Sequence, residues 1–203
     1  MDELRPGLFT WTGRHPSWTP DEGGPEGWEP EVRSYAYAAG KELVLFDPLV
    51  EPSRVQELAG ERKVAIVLTC HWHRRSSAEL VQALGAPVRA PATKVRDIGV
   101  PARGYEPGAR LPGGVEAQPG GYSDECTLWI PEHRALVTGD VFLGGEQGFR
   151  MQPDSWLAED LTREGLRERL RPLAELPVEL LLPTHGDPVA EDARGVLERA
   201  LAT

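Results

Sequence analysis

Cysteine is scarce in this chain of 203 residues, with only Cys70 and Cys126 present. Two thiols are too few for a disulfide framework and read as reduced, which places the protein in the cytoplasm. The start, Met1-Asp2-Glu3-Leu4-Arg5, has no basic, apolar and small-residue order of an export signal. No apolar run approaches the roughly 20 residues of a membrane helix, so no membrane partner is expected. Positive charge is also short. The 22 Lys and Arg stand against 32 Asp and Glu, and the net charge of −10 repels phosphate backbones and argues against a nucleic-acid partner. A small-molecule substrate or ligand is the partner that remains.

What is present suits one globular core. Apolar residues make up 40% of the chain, and a length of 203 residues is usual for one domain, so residues 1–203 are read as a single domain. The 19 prolines and 22 glycines fall mainly between apolar runs, a pattern of many short elements joined by turns.

The order of those elements carries more information than any one of them. Gly7 to Trp11 reads as a strand, followed by a Trp-, Pro- and Gly-rich loop from Arg14 to Pro30 that either rims a pocket or is a solvated connection. Ser34 to Tyr37 and Glu42 to Phe46 flank Ala39-Gly40-Lys41 as a hairpin ending at Asp47-Pro48. Pro52 to Leu58 is helical, Val64 to Leu68 a buried strand, and Ser77 to Leu84 a helix capped by Ser76 or Ser77. Strands return at residues 88–90, 114–117, 126–130 and 134–138. Thr162 to Leu176 is an amphipathic helix, Val178 to Leu182 a strand, and Val189 to Leu201 a last helix. Helices interleaved with two groups of strands imply an α/β protein with two sheets packed face to face and helices outside.

Three strand ends carry candidate chemistry. Leu68-Thr69-Cys70-His71-Trp72-His73 runs an apolar strand into two histidines spaced to supply two corners of a metal site. Leu136-Val137-Thr138-Gly139-Asp140 delivers a carboxylate after a glycine, suited to ligating a cation, capping a helix or bracing a loop. Leu182-Pro183-Thr184-His185-Gly186-Asp187-Pro188 ends a buried strand in a histidine.

Together with Leu45-Phe46-Asp47-Pro48, these segments resemble the metallo-β-lactamase superfamily over nearly the whole chain. The resemblance implies a four-layer αββα sandwich, metal ligands at one edge of the sheets, and hydrolysis of a small ester, lactone or thioester. It carries His71, His73, Asp140 and His185 over as metal ligands for one zinc or iron ion, with Asp140 or Asp124 orienting a water.

The departures fall on the same positions. Aligned on His71 and His73, the family's next aspartate and histidine positions hold Arg75 and Ser76, and its Gly-rich-loop histidine falls near Gly121. In a second register Cys70 takes the first histidine's place, and His71 and His73 carry no ligand role. A guanidinium at Arg75 opposes a second divalent ion and is expected to pair with Asp140. A metal-free relative that binds a small molecule or partner protein is therefore the alternative. In either case Trp72, Arg75, Tyr122, Phe149 and Trp156 are the expected pocket residues. A Cys70–His71 nucleophile pair is opposed by geometry, since adjacent residues on a strand face opposite sides.

Overall fold

The computed structural model describes residues 1–24, 27–145 and 147–202, so Pro25 and Glu26 of the expected rim loop lie outside the described residues. Strands β1 (Asp2–Arg5), β2 (Leu8–Arg14), β3 (Glu31–Ala39), β4 (Glu42–Phe46), β5 (Lys63–Val67), β6 (Val88–Pro91) and β7 (Ala102–Tyr105) form one sheet in chain order. Its first four strands pair antiparallel, and β4 to β7 pair parallel. β8 (Glu116–Pro119), β9 (Cys126–Ile130) and β10 (Ala135–Gly139) form a second sheet. A short ribbon of β11 (Phe142–Leu143) and β12 (Arg150–Met151) follows, and β13 (Leu180–Pro183) returns to lie parallel to β10.

Period-two alternation fixes which way each strand faces. Val44 and Phe46 of β4 point between the sheets, where they meet Leu128 and Ile130, Ala135 and Val137, and Leu180 and Leu182. The intervening Leu43 and Leu45 point outward onto α1 (Pro52–Ala59) and α2 (Ser77–Leu84) through Val55, Ala59 and Leu80. On the other side Trp129, Leu136 and Leu181 pack on α3 (Arg163–Leu170) and α4 (Ala193–Ala202) through Leu166, Leu170 and Leu197. The layers are thus helix, sheet, sheet, helix, as the pattern implies.

Local chemistry accounts for the differences from the sequence reading. The helix expected over residues 162–176 is α through Leu170 only and continues as a 3₁₀ turn, because Pro172 lacks an N–H and its ring crowds the carbonyl of Glu168. The last helix starts at Ala193, not Val189, because Val189 is bridged to Leu181 and Asp192 turns the backbone at φ 48°. β1, β7 and the β11–β12 ribbon were not legible. β11 and β12 have two residues each, and β1 (Asp2-Glu3-Leu4-Arg5) and β7 (Ala102-Arg103-Gly104-Tyr105) are mostly polar, so none of them forms an apolar run.

Candidate metal centre and cleft

Parallel pairing of β4 with β5, and of β10 with β13, brings the C-terminal ends of all four strands to one edge. Asp47, Thr69-Cys70, Asp140 and His185 follow those ends directly. Asp47 sits at φ 45° and is clamped by Thr69, whose N–H donates to Oδ1 at 2.8 Å and whose hydroxyl donates to Oδ2 at 2.6 Å. Its carboxylate is thereby aimed at the next turn.

That turn, a 3₁₀ segment over His71–Arg74, places His73 inside and His71 outside. His73 Nδ1 stands 3.0 Å from Asp47 Oδ2, and Nε2 stands 3.2 Å from Asp140 Oδ1. On the far side of the same oxygen, His185 Nε2 is 3.4 Å away. The other oxygen, Asp140 Oδ2, accepts the Trp72 indole N–H at 2.8 Å. Burial pushes the Asp140 carboxyl up, but the His73 and His185 rings outweigh it and hold the group well below its usual range. Burial likewise pushes His73 down, and Asp140, Cys70 and Asp47 reverse this and raise it well above its ordinary value. The two directions agree: in the bare protein His73 and Asp140 are an ion pair.

The donor set fits a divalent ion. Nitrogen and oxygen ligands at about 2.0–2.2 Å from a tetrahedral ion lie about 3.3–3.6 Å apart, and the two Asp140 Oδ1 separations are 3.2 and 3.4 Å. No hydrogen bond of good geometry reaches that buried oxygen, which is unusual for a carboxylate unless something other than a proton lies between the partners. Cys70, His73 and Asp140 each offer a donor atom within 4.8 Å of the others, and His185 touches this group through Asp140.

The other expected residues are placed as follows. His71 faces away from the group, with Nδ1 3.0 Å from Asp124 Oδ2. The anticipated Arg75–Asp140 pair does not form. Arg75, at φ 35°, donates through one guanidinium nitrogen to the Asp47 carbonyl at 2.7 Å and the Arg33 carbonyl at 3.1 Å. Trp72, Arg75, Tyr122, Asp124 and Trp156 line a cleft of about 1010 Å³ together with His73, Asp140 and His185. Trp72, 37% exposed, meets the Tyr122 ring edge-on at 5.8 Å. Phe149 is not in this cleft. It stacks on Phe142 at 5.3 Å, because that buried ring offers it an apolar partner on the outer core.

Of the two readings of the Arg14–Pro30 loop the pocket rim is the one observed, and two further features, Asp47 and Glu125, escaped the sequence reading. The rim loop does reach the site, where Trp28 lies 5.2 Å from the His185 ring and 5.1 Å from that of His15. Asp47 is legible only as a turn residue, though it orients His73. Glu125 is fully buried; its Oε1 accepts the Asp140 N–H at 3.0 Å and its Oε2 the Gly121 N–H at 2.9 Å. Burial first, and the Asp140 charge second, push its carboxyl up to about 8. The only sequence signal was an acidic residue directly ahead of an apolar strand.

Glu125 also fills the place of the histidine missing at Gly121. A Cβ on Gly121 falls 2.8 Å from Glu125 Oε2 and 3.1 Å from Val141 Cγ2. Gly121→His is therefore expected to cost about 1–3 kcal/mol through overpacking and to add no metal, measured by urea unfolding and metal analysis. A gain of one metal equivalent in this variant would contradict this description of the site.

A sequence model described as "Metallo-beta-lactamase superfamily" matches residues 71–185. No curated protein matches the chain. Among solved structures, a protein called TMB-1 is 13% identical with a TM-score of 0.71, covering 99% of this chain and 95% of its own. The metallo-β-lactamase family protein TTHA1429 from Thermus thermophilus is 18% identical with a TM-score of 0.70, covering 98% and 79%. A protein called TTHA1623, solved in a di-iron-bound form, is 26% identical with a TM-score of 0.62, covering 90% and 98%.

Proposed function

The chain belongs to the metallo-β-lactamase superfamily, and on that premise we propose that it hydrolyses a small ester, lactone or thioester with a single metal ion in the cleft. The observation that carries this reading is the line Asp47–His73–Asp140–His185, whose last three members face the cleft. His73, Asp140 and His185 would hold the ion on that side. When bound, it supplies a Lewis acid and lowers the pKa of a water toward neutrality.

The protein's own groups do the rest. Asp47 accepts a hydrogen bond from the Nδ1–H of His73, which would turn Nε2 toward the ion as the ligating nitrogen. The Trp72 indole engages Asp140 Oδ2, which limits the carboxylate to one ligating oxygen and speaks for one ion over two. Asp124, braced by His71, is the cleft-wall carboxylate suited to orienting a water and accepting its proton. Trp28, Trp72, Tyr122 and Trp156 offer apolar walls for a small substrate. Zinc suits the N and O donors, and the 26% identical di-iron protein makes iron an equal candidate. Buried reduced thiols at Cys70 and Cys126 suit a cytoplasmic setting.

A metal-free binding protein is the second reading, favoured by the buried His73 that two carboxylates already neutralise. The pair His73→Ala and His71→Ala separates the readings on a panel of chromogenic esters and lactones. His73→Ala is expected to lose bound metal and at least about 100-fold in activity, since losing a mere supporting contact to a ligand already costs up to about 100-fold, while His71→Ala keeps its metal. Full activity in His73→Ala would sink the hydrolase reading.

A further inference from the structure

Resting on the one-ion reading above, we propose that Cys70 is a thiolate ligand, so that the ion is held by a Cys70–His73–Asp140 donor set. Cys70 follows β5 at the edge where Asp47 and Asp140 also emerge, and it has no exposed surface. Its sulfur lies within 4.8 Å of both the His73 and the Asp140 donor atoms. His73, Asp140 and His185 line the cleft whereas Cys70 does not, so the sulfur approaches from behind and leaves the cleft side for His185 and a water.

The backbone holds it there. Cys70 is bridged to Glu125, and the neighbouring Thr69 carbonyl accepts the Cys126 N–H at 2.8 Å. A second, independent observation points to the same spot: buried Asp140 Oδ1 has no well-formed hydrogen bond. Charge agrees as well. One carboxylate, one thiolate and a neutral imidazole balance a divalent ion, and the further charge of Asp47 is offset by Arg75 beside it. As the ion binds, the Cys70 S–H and the His73 Nε2–H bonds break and two protons pass to solvent. Thiolate ligation selects zinc, iron or cobalt over magnesium or manganese.

The other cysteine is a built-in control. Cys126 faces the core between the sheets and is not part of the donor group. The test is cobalt(II) titration of the full chain after chelation. Wild type is expected to show visible ligand-field bands together with an intense near-ultraviolet sulfur-to-cobalt band. Cys126→Ser keeps that band, and Cys70→Ser abolishes it while weakening cobalt binding on the order of 100-fold. Should Cys70→Ser fail to fold, a band that survives in Cys126→Ser still assigns the sulfur, since the chain has no other cysteine. Visible bands without the sulfur band, or a sulfur band lost in Cys126→Ser, overturn the proposal and leave the one-ion reading standing. No cobalt binding at all overturns both.

Discussion

Asp140→Ala is expected to abolish metal binding and, with both proteins chelated, to lower stability by about 3–5 kcal/mol, the usual cost of removing one partner from a buried ion pair. The substitution strands His73, which is 4% exposed and raised well above its ordinary pKa chiefly by Asp140. It also frees the Trp72 indole N–H and removes the carboxylate beside His185. The pH signature follows from the direction of the shift. Because Asp140 is held below its ordinary 3.8, its contribution is fully present above that pH and is lost as pH falls toward its folded value. Urea unfolding of both proteins should show the gap at neutral pH and its narrowing in acid. A neutral-pH difference below about 1 kcal/mol, the scale of a surface ion pair, would mean that the Asp140 cluster is not the anchor described here.

Glu125 titrates in the opposite sense. Its carboxyl is raised from 4.5 to about 8 by burial and by Asp140, so it favours folding below pH 4.5, and that contribution is lost as pH rises through about 8. Between those limits the metal-free wild type is expected to lose up to about 1.4 kcal/mol per pH unit from this one group. Glu125→Gln keeps the shape and an acceptor oxygen but cannot ionise, so its stability curve should be flatter across the same window. Metal content and the unfolding slope can be read on the same samples, and equal pH slopes in the two proteins would show that Glu125 is ionised at neutrality.

How much of this was legible depends on distance along the chain. Glu42–Phe46, Cys126–Ile130 and Leu180–Leu182 are nearly continuous apolar runs, legible as strands buried on both faces, and the layered fold follows from that. Asp140 and His185 were legible as residues following buried strands. The histidine pair misled, because residues spaced i and i+2 share a face only while the strand continues. Here the chain leaves the strand and enters a 3₁₀ turn at His71, which sends His73 inward and His71 toward Asp124. For Cys70 the sequence offers two readings, the first histidine's place in the second register and a nucleophile beside His71; its neighbours in space are His73 and Asp140, so Cys70 and His73 come together where that register separates them. Glu125 and Asp47 were hidden for a related reason: their roles rest on contacts with Gly121, Thr69 and His73 that no local pattern encodes.

The most direct test of the central claim is metal analysis by inductively coupled plasma mass spectrometry on untagged protein dialysed without chelator. One equivalent of zinc or iron per chain, lost in His73→Ala and kept in His71→Ala, is the expected result; essentially no metal, or two equivalents, would contradict it.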